Sequence, residues 1–200
     1  MVSTRNQIQK RGSVLGRLVQ NIRAYFILFM TVSFLGWVAE TLFFLCCYGG
    51  FHDRGFMTLP FCTIYGCSFL LLYFLIGTPS GSGNRLAQRS NRAVRHPLFL
   101  YAVISALVVT LLELSTGILF HRVFGLRLWD YSGYRFHFRG YICLEYTLLW
   151  GLLLPLCMRF AFVPLKARIL SLPEPYARAL AGPLALASLT DWSINFLARF

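Results

Sequence analysis

The sequence is short of charge, and above all of acidic charge. Only seven of its 200 residues are Asp or Glu, and charged residues of both signs make up 13% of the chain. Soluble domains carry roughly a quarter of charged residues, so a soluble domain is excluded for most of the chain. The sequence is instead 57% hydrophobic, and its apolar residues are gathered into long runs.

Five apolar runs are present, and the last is interrupted by Gly182, Pro183 and Asp191. A helix that crosses a bilayer needs about 20 consecutive apolar residues. We therefore predict an all-α integral membrane protein with five transmembrane helices. The predicted spans are residues 24–47, 57–78, 97–120, 141–163 and 179–197. Residues 1–23 are expected to form a basic amphipathic N-terminal arm, and residues 24–200 a single transmembrane domain.

Several signatures of catalysis and cofactor binding are also missing. The chain has no G-x-x-x-x-G-K-[ST] phosphate loop and no H-E-x-x-H zinc motif. It lacks the G-x-S-x-G elbow of α/β-hydrolases. Six cysteines are present, but none has the paired C-x-x-C spacing of a zinc site. We therefore expect no metal and no cofactor, and we expect that the chain does not itself hydrolyse ATP.

Basic residues outnumber acidic ones and give a net charge of +12. A nucleic-acid partner is not expected, because the chain has only two lysines and its basic residues fall between the apolar runs. Thirteen of the 19 basic residues lie on one side of the predicted spans and six on the other. Since Arg and Lys collect in cytoplasmic loops, we predict a multi-pass cell-membrane protein with a cytoplasmic N-terminus and an external C-terminus.

A thirteen-residue phrase occurs twice, at residues 54–66 and 139–151, with a constant offset of 85. Each copy follows an apolar run that contains one acid, Glu40 in the first case and Glu113 in the second. The acid lies 14 residues before the Arg of the phrase in the first copy and 26 before it in the second. Because both copies begin on the same side of the membrane, we predict two parallel helix-hairpin repeats and a closing helix.

The extra residues of the second copy are expected to form an outer loop with no counterpart in the first. This loop carries Trp129, Asp130, Tyr131 and Ser132. Asp130 is expected either to cap a turn with Ser132 or to form a lid over the polar residues below. The asymmetry between the two repeats should therefore lie at the outer face.

Four acidic residues fall inside the predicted spans, in the half of the membrane nearer the outer face: Glu40, Glu113, Glu145 and Asp191. A carboxylate at the centre of a membrane helix costs roughly 2.5–3.5 kcal/mol, so we expect these side chains to face inward and to find partners. The predicted counter-charges open the two repeated phrases and are Arg54 and Arg139. The resulting polar cluster is either a set of structural ion pairs or a site for a cation, a proton or a polar headgroup.

Several phrases occur in an order that is typical of one bacterial family. They are Gly36-Trp37-x-x-Glu40, Arg54-Gly55-Phe56, Ile64-Tyr65-Gly66, Glu113 with Gly117, Trp129-Asp130-Tyr131-Ser132, Arg139-Gly140, Trp150-Gly151 and a late Asp191. Over roughly residues 24–196 the chain resembles the family called Putative ABC-transporter type IV, whose members are small multi-pass membrane proteins. The resemblance implies a permease-like subunit that works with a separate ATPase.

Three functions remain open at this point. The favoured one is a transport or permease-like subunit that docks a separate ATPase and forms a homodimer. The second is a membrane enzyme that acts on a lipid or polyprenyl headgroup, and the third is a non-catalytic membrane adaptor. Membrane lipid is a partner in all three, and an enzyme is the less favoured outcome.

Overall fold

The computed structural model describes residues 2–50, 56–79 and 97–198, with the backbone alone for residues 2–15, 48 and 97. The first element is one long helix, α1 (Val2–Tyr48), which runs without a break through the predicted boundary at residue 24. Its sequence contains no proline, so nothing interrupts the backbone hydrogen bonds. The helix ends where Gly49 takes a φ of 67° and its N–H bonds to the Leu45 carbonyl, as in a glycine C-cap.

The second helix, α2 (Thr63–Leu75), is shorter than the predicted span of residues 57–78. It starts three residues after Pro60, which has no N–H to donate, and the preceding residues 56–62 are not helical. It ends before Gly77, whose φ is 82°. Thirteen residues of helix measure about 20 Å, which is less than the ~30 Å hydrocarbon core of a bilayer.

The third helix, α3 (Pro97–Phe124), is followed by a loop that folds back on itself. The loop contains a two-stranded antiparallel ribbon of β1 (His137–Phe138) and β2 (Ile142–Cys143), in which Phe138 pairs with Ile142. Arg139 and Gly140 form its turn and both have positive φ, 50° and 74°. The predicted fourth span therefore begins later than residue 141, because residues 142–143 are extended.

The fourth apolar run forms a continuous helical stretch of three parts. These are α4 (Leu144–Cys157), a π-helical turn (Met158–Phe162) and α5 (Val163–Leu170). Pro155 and Pro164 lie on either side of the π turn, and each removes one backbone donor from the regular helix pattern. The wider turn lies between these two interruptions, as is common for π segments in helices. The last helix, α6 (Glu174–Leu197), begins after Pro173.

Three helical stretches of the described chain are long and apolar enough to cross a membrane. They are Gly16–Cys47, Leu98–Phe124 and Leu144–Leu170. Large apolar side chains, including Leu148, Leu152 and Leu186, are exposed on the outside of the bundle, which suits contact with lipid. The fold is thus helical and suited to a membrane, with three of the five predicted spans supported by length and composition.

The helices pack as two hairpins joined side by side. α1 packs against α2, and α3 packs against α4; α2 then contacts α3. α1 also contacts α5 and α6, so it is the central helix of the bundle. The core between the helices includes the fully buried Leu28, Leu72, Tyr101, Met158 and Phe162.

Equivalent glycines lie at the crossing point of each hairpin. Gly66 of α2 lies against Phe29 and Ser33 of α1, while Gly151 of α4 lies against Ala102 and Ala106 of α3. Gly66 and Gly151 are 85 residues apart, as in the repeated phrase, and their partners are 73 apart, as are Glu40 and Glu113. The two hairpins therefore cross in the same register.

Candidate functional site

Glu113 is the most deeply buried acidic residue among those described. It lies on α3 with 7% of its surface exposed. Its Oε1 accepts a hydrogen bond of 2.8 Å from the hydroxyl of Tyr131. Because a buried carboxyl group is costly without a partner, this bond explains how Glu113 is accommodated between apolar helices.

The loop between α3 and β1 carries the donor of this bond. Burial, with a smaller effect of the Glu113 carboxylate, raises the pKa of the Tyr131 hydroxyl well above its usual range. The hydroxyl therefore keeps its proton at physiological pH and remains available as a donor to Glu113. The loop residue and the membrane helix residue form one unit.

The loop is held in place by contacts between its Trp129–Ser132 segment and residues 139–141. The backbone N–H of Tyr131 donates to the Gly140 carbonyl at 2.9 Å, and the indole N–H of Trp129 donates to the Tyr141 carbonyl at 2.7 Å. Gly140 has a φ of 74°, and a Cβ at this position would lie 2.6 Å from Asp130 Oδ1. Only glycine fits both requirements, so the Trp129–Ser132 segment packs directly on the Arg139-Gly140 turn.

Asp130 caps a turn with Ser132, as one of the two sequence interpretations predicted. Its Oδ1 accepts a bond of 2.9 Å from the Ser132 backbone N–H. Its Oδ2 forms an ion pair of 2.7 Å with Arg127, whose second guanidinium nitrogen donates to the Arg139 carbonyl. Asp130 thus connects the start of the loop to its end, while the neighbouring Tyr131 contacts Glu113.

We expect the loop to be weakened at low pH through Asp130. The hydrogen bonds from Ser132, followed by the charge of Arg127, lower the pKa of the Asp130 carboxyl. A carboxyl whose pKa falls on folding stabilises the protein above the unfolded value, about 3.9 for Asp. That stabilisation is lost as the pH falls through the folded pKa.

Asp130→Asn should therefore lower the melting temperature at neutral pH, and the difference from the wild type should shrink at acidic pH. Thermal unfolding of both detergent-solubilised proteins from about pH 7 to about pH 3 measures this. A difference that stays constant over the whole range would contradict the proposed role of the ionised carboxylate.

Three tyrosines form an aromatic group next to Glu113 that the sequence analysis missed in part. The ring of Tyr131 stacks on Tyr146 with centroids 4.9 Å apart, and Tyr134 contacts both rings. The hydroxyls of Tyr134 and Tyr146 are 3.2 Å apart. Tyr146 lies within the repeated phrase at the position of Phe61. The aromatic residue that both copies of the phrase have at this position was the available signal.

Glu40 lies on α1 at the repeat position equivalent to Glu113, and the structure brings the two side chains near each other. Their carboxyl groups interact electrostatically, and the Tyr65 hydroxyl interacts with both. The Cys62 thiol approaches Glu40 Oε2 at 3.5 Å. The Tyr65 ring rests against Gly36, where a Cβ would overlap it, so the α1–α2 crossing fixes the position of the Tyr65 ring.

Tyr65 and Trp150 occupy equivalent positions in the repeated phrase and contact each other. Their ring centroids are 6.0 Å apart in an edge-to-face arrangement. The Trp150 Nε1 is buried; it lies near Glu113 without reaching hydrogen-bond geometry. The repeated phrase predicted a cluster with members from both copies, but the contact of Tyr65 with Trp150 was not predicted.

Asp191 has a different role from the one predicted for it. Its Oδ2 accepts bonds from the backbone N–H groups of Thr58 and Leu59, at 3.0 and 3.3 Å. The Asn195 amide donates to Asp191 Oδ1 at 3.2 Å and to the Thr58 hydroxyl at 2.9 Å. Asp191 therefore binds the non-helical segment before α2, because this segment presents donors that no helix satisfies.

Arg139 and Glu145 lie at exposed positions, whereas Glu113 is buried. Arg139 occupies the left-handed position of the β turn, and its guanidinium lies over the ring of Phe138, 5.7 Å from the centroid. Glu145 is exposed in the first turn of α4, where a negative charge suits the helix dipole. Tyr131 takes the place beside Glu113 that was predicted for Arg139. Arg54 lies outside the described residues.

Comparison with protein families decides the relationship of the chain. A model of the family described as Putative ABC-transporter type IV matches residues 27–196. The chain belongs to this family. Comparisons with curated proteins and with solved structures give no match.

As a member of Putative ABC-transporter type IV, the chain is an ABC-transporter-related membrane protein. The matched region contains Glu40, Glu113 and the loop that carries Tyr131. Within the part of the chain that the structure describes, no three His, Cys, Asp or Glu side chains come together as metal ligands. The candidate site of this family member is therefore a pair of carboxyl groups surrounded by tyrosine and tryptophan.

Proposed function

We propose that this protein is the membrane-embedded, permease-like subunit of an ABC-type transporter, and that Glu40 and Glu113 bind a positively charged group of the transported molecule. One observation carries the proposal: the acids that the two repeats place at equivalent positions interact electrostatically with each other and with the Tyr65 hydroxyl. Among the described residues, the side chain that bonds to Glu113 is a neutral tyrosine and not an arginine, and a carboxyl pair in the surrounding apolar medium favours a cation.

The proposed topology has five crossings, with the N-terminus in the cytoplasm and the C-terminus outside. The second crossing combines α2 with the non-helical residues 56–62. Such backbone is tolerated at membrane depth only where protein satisfies its polar groups. Asp191 accepts the N–H groups of Thr58 and Leu59, and the Cys62 N–H donates to the Ser33 carbonyl. Broken helices of this kind border substrate sites in transporters.

The hairpins form two parallel repeats related by a pseudo-two-fold axis along the membrane normal, and α6 closes the bundle. Residues on such an axis contact their own equivalents. The contact of Tyr65 with Trp150 and the interaction of Glu40 with Glu113 both fit this arrangement. Parallel repeats with this relation occur in other transporters, where the substrate binds at the interface of the repeats.

The proposed transporter includes a separate ATPase chain, since these 200 residues contain no phosphate loop. We place its docking face at the cytoplasmic end of the bundle, where Arg23 of α1 and Arg178 of α6 both pair with Glu174. A homodimer would supply the second half of the transport path. An enzyme that acts on a lipid or polyprenyl headgroup is less well supported, because the described side chains beside Glu113 are Tyr131 and Trp150, and neither carries a positive charge that could hold a phosphate.

The proposal is tested in cells that produce the wild-type chain, Glu113→Gln or Glu145→Gln. Glu145→Gln is the matched control, since it makes the same chemical change at an exposed position outside the site. Untargeted mass spectrometry of cells and medium should find a positively charged compound whose distribution depends on the wild-type chain. Glu113→Gln should reduce this transport activity at least ten-fold, which corresponds to about 1.4 kcal/mol. The control Glu145→Gln should keep the activity of the wild type.

A second measurement addresses the ATPase. The tagged chain, purified in mild detergent from the membranes of its native host, should carry vanadate-sensitive ATPase activity. Glu113→Gln and the wild type should retain similar amounts of this partner. If no ATPase accompanies the chain, and all three cell lines distribute every compound alike, the protein is an adaptor and the transporter proposal is wrong.

A further inference from the structure

Four aromatic side chains surround the carboxyl pair and come from three different parts of the fold. Tyr65 belongs to α2, Tyr146 and Trp150 belong to α4, and Tyr131 comes from the loop after α3. Tyr131 stacks on Tyr146 and Tyr65 meets Trp150 edge to face. Tyr146 and Trp150 lie four residues apart on α4, so they are neighbours on one face of that helix. The rings therefore form one connected group.

The group is only partly covered by the rest of the protein. Each of the four residues is half-buried, whereas Glu113 is buried. Part of the surface of each aromatic residue is thus left for another molecule to contact. In addition, the buried Trp150 Nε1 has no hydrogen-bond partner among the described residues, although buried polar groups normally have one.

Aromatic faces and carboxylates together are suited to one class of ligand. A cation over a tyrosine or tryptophan face is attracted by the ring quadrupole, and quaternary ammonium groups are recognised by cages of such rings. A calcium ion takes its six to eight oxygen ligands from carboxylates, carbonyl groups and water, and the neutral phenol hydroxyls of this group are not ligands of that kind. An alkylated ammonium group, by contrast, presents methyl groups to the rings and its charge to the acids.

We propose that the cage of Tyr65, Tyr131, Tyr146 and Trp150, with Glu40 and Glu113 at its base, binds a quaternary or otherwise alkylated ammonium group. This inference rests on the proposed transport function and names its substrate class. The Trp150 N–H can then donate to an oxygen elsewhere on the ligand. The loop contributes one wall of the cage, which gives the insertion in the second repeat a role in specificity.

Binding to the purified full-length chain tests the cage directly. The probes are radiolabelled choline, tetramethylammonium as a competitor, and 3,3-dimethylbutan-1-ol, which has the shape of choline without its charge. Choline should bind and tetramethylammonium should compete. The neutral isostere should compete at least ten-fold more weakly, which equals about 1.4 kcal/mol. Equal competition by the neutral isostere, or no choline binding, would overturn the inference.

Variants separate the ring from its hydroxyl. Tyr131→Leu removes the ring and should weaken choline binding about ten-fold, whereas Tyr131→Phe keeps the ring and should stay within about three-fold of the wild type. Tyr176→Leu, at an exposed tyrosine on α6, is the control and should bind normally. Melting temperature and gel filtration establish that each variant is folded.

Two outcomes keep this inference apart from the proposed function. If folded Tyr131→Leu binds choline as well as the wild type does, the cage is wrong, whatever the ATPase measurement gives. If sodium chloride alone displaces all bound choline at equal concentration, the site is a simple ion site and the cage is again wrong. If no ATPase accompanies the purified chain but choline still binds, the transporter proposal is wrong and the cage is still supported.

Discussion

Replacing Gly66 by alanine is expected to destabilise the α1–α2 hairpin. A Cβ at Gly66 would lie 2.7 Å from the backbone oxygen of Phe29 and would overlap the Ser33 hydroxyl. Backbone atoms cannot move aside without shifting the whole helix, so the two helices must separate. Such overpacking costs about 1–3 kcal/mol, and the gain in helix propensity from glycine to alanine recovers no more than about 1 kcal/mol.

The same substitution at two other glycines provides matched controls. At Gly151, the equivalent position of the second repeat, a Cβ would meet Ala106 Cβ at 3.5 Å, an ordinary contact. At Gly182 of α6 it would meet nothing within 4 Å. Thermal unfolding in detergent should therefore show a lower melting temperature for Gly66→Ala alone, by about 2–4 °C for each kcal/mol. Equal effects at Gly66 and Gly182 would refute the close packing described for the first hairpin.

Replacing Asp191 by alanine should release the non-helical segment before α2. The change leaves the N–H groups of Thr58 and Leu59 without their acceptor. Hydrogen bonds to a charged group contribute about 1.5–3 kcal/mol each, and the proposed membrane position of this segment leaves no water to replace them. We expect a loss of several kcal/mol and a marked fall in the yield of folded protein.

Hydrogen exchange provides the specific readout for Asp191. The amides of residues 58 and 59 should exchange faster in Asp191→Ala, while the amides in the middle of α3 should keep their rates. Asp191→Asn retains a side-chain oxygen acceptor and should fall between the wild type and the alanine variant. Asn195→Ala should have a smaller effect, because Asn195 bonds to the Thr58 hydroxyl and to Asp191 and does not accept the N–H groups of Thr58 and Leu59. Unchanged exchange in Asp191→Ala would exclude the capping role.

The sequence was informative wherever the duplication was visible. Two copies of one phrase predicted two helix pairs, and α1 with α2 and α3 with α4 do pack in that way. The same alignment put Glu40 and Glu113 at equivalent positions, and the structure brings them near each other. A repeat constrains structure strongly because each copy must bury the same surfaces against an equivalent neighbour.

The partners of the acids were harder to predict, since partner choice depends on three-dimensional placement. Charge complementarity favoured Arg139 for Glu113, but the left-handed turn at Arg139 and Gly140 leaves this arginine exposed. A tyrosine eighteen residues beyond Glu113 takes its place. The late start of α2 was also missed. Hydropathy shows only that residues 57–62 are apolar, and it does not reveal that Pro60 interrupts a regular helix there.

The unequal glycine contacts have a mechanical consequence for the duplicated chain. Gly66 leaves no clearance between α1 and α2. In addition, Asp191 of α6 accepts hydrogen bonds from the segment that precedes α2. Gly151 leaves normal clearance between α3 and α4. The helical stretch that continues from α4 into α5 contains a π turn between Pro155 and Pro164. We expect the first hairpin to act as a rigid frame, and we expect the sliding that admits or releases a ligand to occur in the second.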